Sequence, residues 1–150
     1  MGLVMIEKYC DKTIPEVKNI FPEIIDKLNN EIWPKYNQAM EKFGFNHALD
    51  ETWQFITYCD QIISDKKPWE LYKVGKTTEL NDLLHHLAEA LRHIAVMIWP
   101  IMPETSEKIM NQLGMDVAKE LSKPLSELQN WVQLTVGNKI DKGEPLFPRL

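Results

Sequence analysis

Residues 77–100 read TTELNDLLHHLAEALRHIAVMIWP. Within them Leu80, Leu83, Leu84, Leu87, Leu91, Ile94, Ala95 and Ile98 recur at steps of three and four, the period that lines side chains along one face of an α-helix. Thr77 or Thr78 offers a hydroxyl to cap the first turn, and Pro100, which has no N–H to continue the ladder, stops the last. A helix this long with so wide an apolar stripe must be covered by other elements, which makes it the central core helix. His86, Glu89 and His93 stand at i, i+3 and i+7 and share another face. They are expected to form an exposed polar surface. A metal box is disfavoured there because no other segment offers matching carboxylates and histidines.

The same period continues on both sides. From Pro22, residues Ile25, Leu28, Ile32, Tyr36 and Met40 predict one long helix, closed at Phe43-Gly44 with Gly44 as the left-handed residue. A second helix, capped by Asn46, is expected to run through Leu49, Trp53, Ile56 and Ile63 to Ser64 and to pack antiparallel to the first. Asp60 falls on that stripe, so its carboxylate must be hydrogen-bonded, with Arg92 as the candidate partner, or sit at the edge of the interface. After a polar break at residues 64–67, a short helix starts at Pro68, whose fixed φ suits a first helical position, and ends at Gly75. Pro103 opens a further helix carrying Ile109 and Leu113 and ended by Gly114. Beyond it the pattern weakens through a short turn at Ser126–Leu128 to an irregular tail, residues 137–150. Met1 to Cys10 reads as the end of a helix, and residues 11–15 as a proline-containing connection. No segment alternates like a strand, so the fold class is all-α, a helix bundle, with residues 1–150 as one domain.

Composition narrows the function. With 44% hydrophobic and 26% charged residues in 150, the chain can bury a core and is neither disordered nor of low complexity. A net charge of −5 argues against coating a polyanion by bulk electrostatics, so any contact with nucleic acid has to be local. Cys10 and Cys59 make no CxxC pair or disulfide framework and read as buried thiols of a reducing, cytoplasmic compartment. The longest apolar run, residues 94–101, is too short to span a bilayer, and no membrane partner is expected. The N-terminus lacks the basic region and cleavage site of a secretion signal and reads as a helix truncated at Met1. The six glycines are scattered and build no phosphate loop, and no GxSxG, HExxH or paired-cysteine zinc signature is present. The expectation is no catalytic residue, no metal site and no cofactor in this chain.

Lys66-Lys67-Pro68-Trp69 is more informative. It sets an indole at a loop-to-helix junction beside two lysines, with Lys73 one turn later. Between residues 65 and 76, Lys66, Lys67, Lys73 and Lys76 face only Asp65 and Glu70, a local excess of positive charge in an acidic protein. A flat π surface beside ammonium groups suits an unstacked base and its phosphate. By residue type alone, the commoner fate of Trp69 is to plug into the bundle, as expected for Trp33, Trp53 and Trp99.

Residues 67–73 (KPWELYK), 91–106 (LRHIAVMIWPIMPETS), 112–114 (QLG) and 145–149 (PLFPR) occur in the order found in bacterial methionyl-tRNA synthetases, which the chain resembles over essentially its whole length. Residues 5–9 (MIEKY) resemble the end of that family's first anticodon-domain helix. The resemblance implies an all-α helix bundle of the class I synthetase anticodon-binding type, with a tRNA anticodon stem-loop and the catalytic domain of the same enzyme as partners. It implies that Trp69 stacks on the first base of a CAU anticodon with Pro68 alongside, and with Lys67 and Lys73 nearby. The whole enzyme would use ATP with magnesium to join methionine to tRNA through HIGH and KMSKS signatures. Neither signature occurs in this chain, which is expected to be inactive by itself.

Two departures accompany the resemblance. The family's asparagine and arginine that hydrogen-bond the first base would fall at or before Met1. The asparagine it carries nine positions before the tryptophan is here Asp60. Two other readings stay open: the same domain from another class I synthetase, and a helical protein-interaction module that docks a partner helix through Trp69 and the acidic surface.

Overall fold

The structure, a computed structural model, describes Cys10 and residues 13–15, 17–18, 22–131 and 139–140. The expected helix end at residues 1–9 lies outside the described residues, as does all of the 137–150 tail except Lys139 and Ile140. Among the described residues the regular structure is α1 (Pro22–Lys27), a π-helical turn (Leu28–Ile32), α2 (Trp33–Glu41), α3 (Phe45–Lys66), α4 (Pro68–Lys73), α5 (Thr77–Ile98), α6 (Pro103–Gln112), α7 (Val117–Leu121) and α8 (Leu125–Leu128). An isolated antiparallel bridge pairs Thr13 with Lys139.

The long helix expected from Pro22 exists, with a π turn in its middle. Pro34 is the cause: it lacks an N–H, and its ring would strike the carbonyl four residues back. Widening the preceding turn, so that the Trp33 N–H reaches the Leu28 carbonyl, makes room for that ring. The wide turn also shifts the face, and Ile24 rather than Ile25 is buried with Leu28, Ile32, Trp33 and Tyr36.

The turn between α2 and α3 corrects another expectation. Phe43, not Gly44, holds the left-handed conformation at φ 55°, while the Gly44 N–H bonds the Ala39 carbonyl and the Phe43 N–H bonds that of Met40. These two bonds close the helix as a Schellman turn. Gly44 then serves as the N-terminal cap of α3, so Asn46 lies inside the helix, and Lys76 likewise precedes α5 in place of a capping threonine. Gly75 and Gly114, with φ of 77° and 75°, end α4 and α6 as read. The helix α7 was missed, although Asp116 caps it by accepting from the Lys119 N–H.

On α3 the buried stripe is Ala48, Thr52, Phe55, Cys59 and Ile63. Small residues at 48 and 59 let the helix approach its neighbours closely, and α3 packs between α2 and α5. The expected stripe lies about a quarter of a turn away, so Trp53 and Asp60 face solvent. Asp60 therefore does not pair with Arg92.

From Asp82 to Ile98 every residue of α5 is buried except Leu91. His86, Glu89 and His93 are thus interior, not an exposed face. Arg92 is fully buried; its Nε donates to Glu89 Oε1 at 2.9 Å, and its Nη2 stands 2.8 Å from the same oxygen as an ion pair. Nη1 donates to the Leu128 carbonyl at 2.9 Å and Nη2 to that of Asn130 at 2.7 Å. The Trp33 indole N–H donates to His93 Nδ1 at 3.1 Å, and His93 Nε2 lies between Arg92 Nη2 at 3.0 Å and Glu89 Oε1 at 3.4 Å. The Trp131 ring stacks on His93 with centroids 5.4 Å apart. His86 Nδ1 donates to the Asp82 carbonyl at 2.6 Å. These nitrogens and oxygens are occupied by each other and by indole and backbone groups, so the three side chains read as structural.

Two measurements test this core. Arg92→Ala would strand the Glu89 carboxylate in the interior and is expected to cost about 3–5 kcal/mol in a denaturant titration, whereas Asp60→Asn should stay within about 0.5 kcal/mol. A near-neutral Arg92→Ala variant would show the network to be dispensable. Burial holds His86 and His93 below the ordinary imidazole value of 6.5. Burial pushes Glu89 up, but His93 and Arg92 outweigh it and leave its carboxyl below 4.5. In each case the unfolded chain binds protons more readily than the folded one. Stability is therefore expected to be full above about pH 6.5, to fall first through histidine protonation and to fall further below pH 4.5. A melting temperature unchanged between pH 7.5 and 5.5 would contradict the neutral-histidine assignment.

Candidate nucleic-acid interface

The segment carrying Lys67, Pro68, Trp69 and Lys73 is built by three local devices. The helix α3 runs on to Lys66, beyond the expected break at Ser64, and the whole link to α4 is one residue, Lys67, held left-handed at φ 49°. Its N–H caps α3 at the Ile63 carbonyl, and its own carbonyl accepts from Glu70 and Leu71 to start α4. Pro68 supplies the first helical position and is buried. Gly75 then closes the helix, with the Lys76 N–H on the Leu71 carbonyl.

On this short helix Pro68 and Leu71 face the bundle, Leu71 packing against the core. Trp69, Tyr72 and Lys73 are on the opposite side, with Trp69 39% and Tyr72 55% exposed. Lys67 is half exposed, and its ammonium stands 3.9 Å from Glu70 Oε1. Lys66, Lys73 and Lys76 are also exposed. Trp69 thus does not plug into the bundle. Of the tryptophans compared with it, only Trp33 does, since Trp53 and Trp99 are 50% and 40% exposed.

Trp53 and Tyr72 are among the exposed aromatics that the sequence reading does not mark as surface. Trp53 had been placed on the buried stripe of α3, although small Ala48 and Cys59 marked the closer-packing face. Tyr72 was quoted only as part of a motif, yet its place three residues after Trp69 puts the two on neighbouring surface of one helix. On the α3 flank facing α1, a groove of about 350 Å³ is lined by Glu23, Ile24, Tyr58, Ile62, Asp65 and Lys66. Its two carboxylates make it a poor seat for a phosphate.

Cys59 is buried, and burial with help from Asp60 pushes its thiol up to about 12, so it is inert. Cys10 is only half-buried, contrary to expectation, and its thiol lies 3.5 Å from Asn81 Oδ1. No helix among the described residues is long and apolar enough to cross a membrane.

A helical bundle that displays an indole among lysines offers the flat π surface and positive charge that an unstacked base and its phosphate would need. A family described as "Anticodon-binding domain of tRNA ligase" matches residues 23–140, and the chain belongs to that family. Over 99% of its length it is 35% identical to a methionine-tRNA ligase of Enterococcus faecalis and 37% identical to one of Bacillus subtilis. It spans only 22% of each of those relatives. Among solved structures it is similar to the free-state methionyl-tRNA synthetase of Mycobacterium tuberculosis, with a TM-score of 0.86 at 21% identity, over 99% of this chain and 30% of that one. The fold is therefore the expected all-α one.

Proposed function

We propose that this chain reads the CAU anticodon of a tRNA for ATP-dependent methionylation carried out by a catalytic domain elsewhere in a cytoplasmic methionine-tRNA ligase. The observation that carries the reading is the partly exposed Trp69 ring on α4, held between lysines on a protein that is otherwise acidic. In this reading the indole offers its face to the first anticodon base, and Lys67 and Lys73 meet the flanking phosphates. Pro68, being buried, acts by fixing the first turn of α4 and so the angle at which the indole projects. Similarity to methionine-tRNA ligases over the whole chain supports the choice of amino acid. ATP and magnesium belong to the catalytic domain. The chain alone is expected to bind RNA and to do no chemistry.

Titration of a CAU stem-loop tests this. Trp69→Ala is expected to lose about 1–3 kcal/mol of binding and Trp69→Phe less, and an unchanged Trp69→Ala variant would remove the stacking role. Lys67→Ala and Lys73→Ala should each weaken binding for all sequences alike and lower the salt slope by about one. With the family's base-reading asparagine and arginine falling at or before Met1, discrimination against another first base is expected to be weak, since stacking alone tolerates any base. Formation of methionyl-tRNA by this chain alone would contradict the division of labour.

A further inference from the structure

Tyr72 has no part in the reading above, yet it is the more exposed of the two rings on α4, at 55% against 39% for Trp69. The two residues are three apart in one helix, which sets their Cβ atoms about 5–6 Å from each other. With Pro68 and Leu71 turned to the bundle, the rings are neighbours on the outward side, on the scale of one nucleotide step. Lys73 follows Tyr72 directly, and Lys76 stands just past the Gly75 turn, both exposed. The cationic border therefore extends past Trp69 to the Tyr72 side.

A strand that leaves one base on an aromatic platform brings its next base within reach of a platform beside it, and such stacking tolerates any base because every base has a π face. Tyrosine suits the task, since its flat ring offers a π face for stacking. The backbone around Tyr72 is also firm. Its carbonyl accepts from the Gly75 N–H at 3.3 Å, inside the turn that ends α4. The ring is therefore presented from a fixed helix end and not from a loose loop.

We propose that Tyr72 is a second stacking platform, which takes the nucleotide adjacent to the one on Trp69 while Lys73 and Lys76 neutralise the phosphate on that side. This rests on the reading of Trp69 as the seat of the first anticodon base. It makes α4 a two-base reader.

The test is a double-mutant cycle on the 150-residue chain, pairing Tyr72→Ala, Tyr72→Phe and Trp69→Ala with CAU stem-loops made abasic at the first anticodon position or at either neighbour. Tyr72→Ala is expected to weaken the intact stem-loop about tenfold. That loss should vanish when one particular neighbour is abasic and persist when the first position is. Tyr72→Phe should keep nearly full affinity, because the ring and not the hydroxyl does the stacking. Melting curves should be the same for all three exposed-site variants. If Trp69→Ala loses affinity but Tyr72→Ala does not, or if the Tyr72→Ala loss is the same with every abasic stem-loop, the second platform is overturned and the first stands. If Trp69→Ala binds like the unsubstituted chain, or the unsubstituted chain does not bind, the reading of the site falls and this inference with it.

Discussion

The charge on Arg92 is the constraint around which the rest of the molecule is arranged. A guanidinium with no solvent exposure loses several kcal/mol of hydration, and a single buried carboxylate does not recover it unless the remaining donors are also met. Glu89 accepts from Nε and pairs its charge with Nη2 on one oxygen, and the carbonyls of Leu128 and Asn130 accept two further N–H groups. The chain beyond α8 has to come back to α5 for this to happen. That return brings Trp131 onto the His93 ring.

The same logic runs the length of α5. A helix buried on all sides carries polar groups that must find partners, and here the partners come from irregular or distant chain. Asp82 accepts from the backbone N–H of Lys18, and the His85 ring bonds the Pro15 carbonyl. The Tyr36 hydroxyl donates to the Met97 carbonyl at 2.7 Å, and Ser106 at the start of α6 to that of Ala95. Burial pushes the Tyr36 phenol up to about 12, so it remains a donor. Further out, the Asn37 and Gln129 amides exchange hydrogen bonds and fasten α2 to the end of α8. Polar residues on the central helix thus act as sockets for segments that have no regular partner of their own.

The helix that carries Trp69 depends on packing in a different way. The helix α4 is too short to be stable alone, and it exists because its ends are specified and one side is packed. Lys67 turns the chain within one residue, at the strain a left-handed non-glycine carries, and Pro68 and Leu71 hold the inner side. What remains outward is Trp69, Glu70, Tyr72 and Lys73, two rings with one charge of each sign. A large ring kept partly in water has little packing value, and this separates Trp69 from Trp33, which gives its indole N–H to the core.

The helix period, the breaks at Pro100, Gly75 and Gly114, the start at Pro68 and the family resemblance all followed from the order of the residues, because proline, glycine and the three-to-four spacing act over a few neighbours. Trp69 was legible as a site through its motif. Other features were decided between elements. Residues 45–66 contain two stripes of helical spacing, and only the approach of α2 and α5 selects the one with Ala48 and Cys59, leaving Trp53 and Asp60 outside. His86, Glu89 and His93 look like a solvated face along one helix, since chain that helps to cover this stretch is far away in sequence: Leu128 is 36 residues from Arg92, and Trp33 is 60 from His93. Whether a charged residue is a surface or a core residue depends on what other chain covers it. That covering is a property of the tertiary structure and has no local period to read.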